Sequence, residues 1–107
     1  MTDRVAGHMA LFNEAVRGGD FGAFVATFAP DAVMRFVGVP AGPFAGREQI
    51  AEAYAHQPPT DTMRVLSVAT DGETDVVRFA WDAGGTGTMT VRWRGPLVED
   101  LTVAFDG

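Results

Sequence analysis

The hydrophobic pattern of the chain changes its period near residue 62, and this change constrains the fold more than any other feature. Before it, apolar residues recur every three or four positions, which is typical of amphipathic helices. After it, apolar and polar residues alternate in four segments, which is typical of strands. Helices followed by an antiparallel meander predict an α+β fold with the helices on one face of a curved sheet.

Three helices and one strand are predicted before this change. The first helix carries an apolar stripe made of Val5, Met9, Phe12 and Val16. Caps and breakers set the other limits, since Asp20 is a good N-cap, Pro30 closes a helix and Gly46 precedes one. The predicted limits are a helix ending at "RGG" (17–19), a short helix (21–28), a strand (31–36) and a helix (47–55).

The four later strands are separated by Gly-rich turns, of which the one around Gly72 predicts a hairpin. The chain has 107 residues and shows no linker or internal repeat, so we expect a single domain over residues 1–107. The predicted strands are "TMRVLSVA" (62–69), "DVVRFAWD" (75–82), "TGTMTVRW" (86–93) and "LVEDLTVAF" (97–105).

Composition excludes several classes of function. The formal net charge is −6 and the 8 basic residues are scattered, so a nucleic-acid partner is not expected. The chain has no cysteine and only two distant histidines, His8 and His56, so we expect no metal site and no cofactor. No long apolar run indicates a signal peptide or a membrane span, and together with the lack of cysteine this favours a cytoplasmic protein.

Alternation along the strands predicts which side chains face the helices. The apolar set must face inward, because a shift by one residue would bury three arginines. Large aromatic side chains cannot completely fill a tapering, curved sheet, so we expect a cavity that binds a small apolar molecule. The predicted lining comprises Phe12, Met34, Phe36, Tyr54, Val77, Phe79, Trp81, Met89, Val91, Trp93, Leu101, Val103 and Phe105.

The opposite face of the sheet is expected to carry charges, namely those of Arg78, Arg92, Arg94 and Asp100. A solvated surface would explain them, but they also suit a polar interface between two sheets. In that arrangement Asp100 would pair across strands with Arg92 or Arg94, and an exposed pair of this kind would contribute about 0.2–1 kcal/mol. We therefore expect a homodimer formed through this outer face.

The order of the elements and two segments of sequence resemble a known superfamily. The segments are "GDFGAFVATFAPDAV" (19–33) and "FAGREQIAEAY" (44–54), and the later strands agree in pattern. Over nearly its whole length the chain resembles nuclear-transport-factor-2-like proteins, and among them the SnoaL-like and ketosteroid-isomerase-like branch. The resemblance implies a cone-shaped half-barrel with three N-terminal helices on its concave face, an apolar pocket and frequent homodimers. It does not imply one activity, because the fold hosts isomerases, cyclases, epoxide hydrolases, dehydratases and binding proteins.

Steroid-isomerase chemistry is not expected from the residues of this chain. In the family it needs a carboxylate base on the first strand, where this chain has Phe36. It also needs a tyrosine on the first helix for the oxyanion hole, where this chain has Phe12. A protonated acid on the fourth strand completes that hole, and Thr90 and Val91 lie near its position. Only Tyr54 matches a supporting pocket tyrosine of the family.

Two other catalytic arrangements of the fold have weak counterparts here. Epoxide hydrolases use an inward Asp–Arg–Asp set, whereas the strand arginines and Asp100 have outward parity unless a bulge reverses them. Cyclases use one acid in the pocket, and Glu99 is the strand carboxylate to which we assign inward parity, at the rim and with a solvated role. His8 could face the pocket mouth but is expected to be solvated, and His56 is expected to end the third helix.

Three hypotheses about function follow from the sequence. The first is a domain that binds a flat apolar molecule, with Tyr54 as its polar group and no assigned catalytic residue. The second is an enzyme of the cyclase, isomerase or epoxide-hydrolase type, acting on a small hydrophobic substrate with Tyr54 and one carboxylate. The third is a filled interior and a role through association alone. A carboxylate or histidine at the cavity centre would favour the second, and a closed small void the third.

Overall fold

The structure is a computed structural model and describes residues 4–106. Three helices and six strands occur in it, in the α+β arrangement that the sequence predicts. The elements are α1 (Arg4–Gly18), α2 (Gly22–Val25), β1 (Phe28–Val37), β2 (Phe44–Ala45), α3 (Arg47–His56), β3 (Met63–Asp71), β4 (Thr74–Trp81), β5 (Thr86–Arg94) and β6 (Leu97–Phe105). No helix of the described residues is long and apolar enough to cross a membrane.

The six strands form one open sheet in the order β2-β1-β6-β5-β4-β3. All neighbours are antiparallel except β1 and β6, which run parallel. The prediction of a purely antiparallel sheet is therefore wrong at this pair. The physical reason is the connection, because α3 and the three-strand meander carry the chain back to the start of the sheet, and such a crossover permits parallel pairing.

The second predicted helix is shorter than expected, and Pro30 does not close it. The segment from Phe28 to Val37 is strand β1, and Phe28 pairs with Val98 of β6. Phe28 is completely buried, so burial against the sheet overrides the helical pattern of "FGAFVATF". Pro30 lies where the β1–β6 register shifts, a position at which a strand tolerates a residue without an N–H donor.

A bulge in β6 changes which side chains of that strand face inward. Arg92 pairs with Asp100 but the next residue, Trp93, pairs with Val98, so Glu99 is the extra residue of the bulge. Val98 is completely buried, whereas Glu99 and Asp100 both make ion pairs with arginines of the outer face. The bulge therefore reverses the alternation between Val98 and Asp100, as an extra residue in one strand does.

The core lies between the concave face of the sheet and the three helices. Phe24 of α2 is its centre, with its ring 5.4 Å from the rings of Phe12, Phe28 and Tyr54. Edge-to-face contacts of this kind stabilise the packing beyond the area they bury. Helices α1 and α3 are thereby held above the sheet, and the space between them and the strands is where the candidate site lies.

Candidate functional site

A cavity of about 740 Å³ lies between the helices and the concave face of the sheet. Aromatic, aliphatic and thioether side chains form most of its wall. All but three of the residues in the predicted lining lie on it. Those that do are Phe12, Met34, Phe36, Tyr54, Phe79, Trp81, Met89, Leu101, Val103 and Phe105.

The three remaining residues, Val77, Val91 and Trp93, face inward but do not line this cavity. Val77 and Val91 are almost completely buried in the core. Trp93 donates its Nε1–H to Asp75 over 2.9 Å and lines a second cavity. Strand alternation reports the face on which a side chain lies but not its position along the cone, and packing closes the cavity before it reaches these three residues.

Tyr54 contributes a phenol group to the cavity wall. Its ring stacks on Phe21, with centroids 5.1 Å apart, and its Oη lies 3.6 Å from the thioether sulfur of Met34. Burial raises the pKa of Tyr54, so the phenol remains protonated at neutral pH. The thioether is a weak acceptor, and the lone pairs of the phenol oxygen remain free for another partner.

The positions that carry steroid-isomerase chemistry in the family hold no ionisable group here. Phe12 and Phe36 both line the cavity, and the Phe36 ring lies parallel to that of Phe105 with centroids 6.2 Å apart. Thr90 is exposed on the outer face and Val91 is buried in the core. No group at these positions could remove a proton beside a carbonyl or donate to an oxyanion.

One face of α3, about two turns long, adds polar residues to the rim of the cavity that were not predicted to line it. Gln49, Glu52 and His56 are exposed and line it. Their spacing of three and four residues places them on one helix face, which was the available signal. Glu52 is the only carboxylate that lines this cavity among residues 4–106.

His8 is buried, which contradicts the expectation of a solvated histidine on a surface helix. Only 5% of the residue is exposed, and its ring packs against Phe24, Phe28 and Trp93 at centroid distances of 4.7, 5.7 and 5.9 Å. Burial lowers the pKa of His8 to about 4, so the imidazole is neutral at pH 7. Its Nδ1 lies 3.3 Å from the hydroxyl oxygen of Thr27.

Glu99 does not have the inward parity that the alternation predicted. Because of the bulge it lies on the outer face, with Oε1 2.9 Å from Nε of Arg94 and Oε2 2.8 Å from Nε of Arg92. Asp100 pairs with Arg35 and not with Arg92 or Arg94 as the dimer hypothesis supposed. Arg78 pairs with Asp106, so the arginines of the later strands remain outside and form no inward Asp–Arg–Asp set.

A buried carboxylate, Asp75, was missed although its position shows it. It has the same parity on β4 as the inward-facing Val77, so alternation alone should have identified Asp75 as an inward strand acid. Its oxygens accept hydrogen bonds from Nε of Arg4 at 2.7 Å, Nε1 of Trp93 at 2.9 Å and the hydroxyl of Thr70 at 2.5 Å. Despite burial, which raises it, the pKa of Asp75 is below the ordinary value because of these three donors.

Asp75 belongs to a second cavity, of about 870 Å³, beside the N-terminal half of α1. His8 lines both cavities and so forms part of the wall between them. Because every oxygen of Asp75 already has a donor, we assign this carboxylate to the stability of the fold. No group of three or more potential metal ligands occurs among the described residues.

Comparison with known protein families gives one match that covers most of the chain. The model of the SnoaL-like domain matches residues 9–103. None of the curated proteins matches the chain. The match includes most of the residues that line the cavity, and of these only His8 and Phe105 lie outside it.

Solved structures with the same fold have little sequence in common with this chain. A SnoaL-like protein of unknown function from Burkholderia thailandensis superposes with a TM-score of 0.75 at 14% identity, covering 100% of this chain and 98% of that one. A protein from Kribbella flavida, with suggested ketosteroid isomerase activity, gives 0.74 at 16% identity, covering 99% and 80%. A protein from Sinorhizobium meliloti, with suggested polyketide cyclase activity, gives 0.70 at 19% identity, covering 95% and 99%. At these identities the likeness shows the fold alone.

Proposed function

The chain belongs to the SnoaL-like domain family, and from this premise we propose that it binds a small, flat, apolar molecule in the cavity beneath its helices. The proposal treats the protein as a binding domain without steroid-isomerase chemistry, because Phe12 and Phe36 occupy the positions of the acid and base groups. It includes a cytoplasmic location, for which the lack of cysteine is the support.

The size and lining of the cavity carry this proposal. A volume of about 740 Å³ falls within the range of about 300–1,000 Å³ that small-molecule sites occupy. The interior is not filled, which argues against a role through association alone. Rings on several sides favour a planar ligand, because stacked and edge-to-face contacts both need a flat partner.

Tryptophan fluorescence tests the proposal, because the two tryptophans differ in position. Trp81 lines the cavity and Trp93 does not. We expect a panel of planar hydrophobic compounds to change the emission of the wild-type protein. The change should disappear in Trp81→Phe and persist in Trp93→Phe, which serves as the matched control. No response to any compound of a broad panel, or a response that depends on Trp93 alone, would contradict binding in this cavity.

A second candidate function is an enzyme acting on a small hydrophobic organic substrate. The observations that favour it are two titratable residues on the wall of the cavity that contains the Tyr54 phenol, namely Glu52 at the rim and the buried His8. Glu52 could serve as the base and Tyr54 as the acid in proton transfers on such a substrate. Mass spectrometry after incubation with aromatic polyketide-like compounds would detect turnover, and a product lost in Glu52→Gln would favour this candidate over simple binding.

The proposal also includes a homodimer formed through the outer face of the sheet. Its support is a broad exposed surface on which Val76 is 40% exposed beside Thr90 and Arg92 of the neighbouring strand. The charged residues of this face already have partners within the chain, so the interface we propose depends on packing of the uncharged side chains between them.

A further inference from the structure

We propose that His8 is the hydrogen-bond acceptor of the cavity, and that the ligand carries a neutral hydroxyl or N–H donor on an otherwise apolar body. This inference rests on the proposed binding function and names the class of ligand. It follows from the tautomer of His8, from the position of its second ring nitrogen and from the lack of cations on the cavity wall.

The hydroxyl of Thr27 determines the tautomer of His8. Its oxygen lies 2.6 Å from the carbonyl oxygen of Phe24 and 3.3 Å from Nδ1 of His8. A carbonyl can only accept, so the hydroxyl proton is donated to Phe24 and only lone pairs remain towards His8. Nδ1 must therefore carry the imidazole proton, and Nε2 carries a lone pair.

The surroundings of His8 keep the ring neutral. Phe24 of α2, Phe28 of β1 and Trp93 of β5 pack against it and carry no charge. Two charged groups share the second cavity with His8: Arg4, one turn earlier on α1, and Asp75 of β4, which accepts from Nε1 of Trp93. With no carboxylate in contact to stabilise an imidazolium, the ring acts as an acceptor at neutral pH.

Nε2 of His8 is left for a ligand. None of residues 4–106 bonds to it. Among these residues every fully enclosed side-chain nitrogen or oxygen has a hydrogen-bond partner. Because Nε2 has no partner, it is not fully enclosed and must be open to a cavity. The two ring nitrogens diverge, and Nδ1 faces Thr27, which lines the second cavity, so we assign Nε2 to the first cavity, which His8 also lines. A lone pair facing an apolar cavity gains most from a ligand that donates a hydrogen bond.

The rest of the wall agrees with a neutral donor. The chain contains no lysine, and none of its arginines lines the cavity, so a carboxylate or phosphate ligand would find no counter-charge. The phenol oxygen of Tyr54 adds free lone pairs, because its proton is directed at the sulfur of Met34. Nε2 of His8 and the phenol oxygen of Tyr54 therefore both accept hydrogen bonds in this cavity. This favours a ligand with a phenol, an alcohol or an indole-type N–H.

A matched pair of probes tests this inference. Indole and benzofuran have the same shape and differ in one N–H donor. Affinities measured by NMR titration should be about fivefold tighter for indole in the wild-type protein, which corresponds to ~1 kcal/mol. In His8→Phe the ratio should fall to about one, while the affinity for benzofuran stays within about twofold. Leu66→Phe, which adds a ring at an exposed position of β3 that lines neither cavity, is the control and should keep the wild-type ratio.

The outcomes separate the two proposals. Equal affinities for the probes in the wild-type protein would overturn the role of His8 and leave binding in the cavity intact. Binding of neither probe would overturn both. Should His8→Phe fail to fold, the nitrogen-15 shifts of the wild-type imidazole decide, since Nε2 must be unprotonated at pH 7 and must move with indole but not with benzofuran. A protonated Nε2 would overturn the inference.

Discussion

Phe36 illustrates how one residue sets the chemistry of a cavity wall. Its ring contacts those of Phe44 and Phe105, both at a centroid distance of 6.2 Å. A carboxylate at this position would lie among these apolar rings. The wall at this point therefore agrees with the proposed role of a hydrophobic binding site.

Substitution of Phe36 by Asp should destabilise the protein. The new carboxylate would replace a packed ring and lie in an apolar wall, so we expect the free energy of unfolding to fall by about 1–3 kcal/mol. Val37→Asp is the matched control, because Val37 is 54% exposed and its substitution should change stability by less than about 0.5 kcal/mol. Urea denaturation measures both, and equal effects would show that Phe36 is not inward.

The buried imidazole of His8 should make stability depend on mildly acidic pH. Its pKa is about 4 in the folded protein against an ordinary value of 6.5, so on acidification the unfolded chain takes up a proton first. We therefore expect the contribution of His8 to the free energy of unfolding to be constant above about pH 6.5. As pH falls from there towards 4, this contribution should decrease by about 3 kcal/mol in total.

The comparison that isolates this effect uses His8→Phe. Denaturant titrations at pH 7, 5.5 and 4.5 should show a steeper loss for the wild-type protein than for the variant. His56 is present in both proteins, and the stabilisation by Asp75 is lost as pH falls through the ordinary carboxylate value and below it, again in both. Parallel pH profiles would mean that His8 is accessible to water.

Asp75 connects helix α1 with three neighbouring strands. It lies on β4 and accepts hydrogen bonds from Arg4 of α1, Thr70 of β3 and Trp93 of β5. Arg4 also lies over the Trp93 ring, 5.4 Å from its centroid. The start of α1 is thereby held against the β3–β4 hairpin, and this position of α1 is what places His8 between the two cavities.

Removal of the Asp75 carboxylate should therefore cost more than removal of an exposed acid. In Asp75→Ala three donors lose their acceptor, and we expect a loss of about 2–4 kcal/mol. Asp82→Ala is the control, because the ion pair of Asp82 with Arg64 is exposed and worth about 1 kcal/mol or less. Thermal and urea unfolding measure both, and a small effect for Asp75→Ala would show that α1 is held by apolar packing alone.

At the scale of the whole molecule, the fold is a cavity-forming scaffold whose sequence varies widely. Structures with 14–19% identity to this chain superpose with TM-scores of 0.70–0.75. The fold is therefore common to these chains although most of their residues differ. The function of each member must therefore be argued from its own cavity wall.

The oligomeric state is a property of the whole molecule and tests the proposed outer-face interface. Sedimentation velocity should give twice the chain mass of 11.4 kDa. Val76→Glu places a new charge on the outer face of the sheet, beside Thr90 of the neighbouring strand, and should shift the protein to the monomer. Val39→Glu, in an exposed loop away from this face, should remain dimeric. A wild-type monomer, or a dimer that survives Val76→Glu, would contradict the interface.

Pattern alone predicted the elements from α3 onward, since "REQIAEAYA" and the alternating strands have one period each and are bounded by Gly- or Pro-containing segments. The inward side of β4 and β5 was also predictable, because the alternative would have buried three arginines. The residue types at the cavity, phenylalanine in place of acid and phenol, follow from the sequence with the family resemblance. These features depend on the spacing of residues that are close together in the chain, and this spacing can be read directly from the sequence.

Tertiary contacts decided the rest. Phe28 enters a strand because it pairs with Val98, and Glu99 faces outward because a bulge opposite Trp93 shifts the register. His8 is buried because α2 and β5 close over it, although on its own helix it is one polar residue beside an apolar stripe. Pairing register, bulges and the lengths of facing elements depend on residues far apart in the chain, so no local period could predict them.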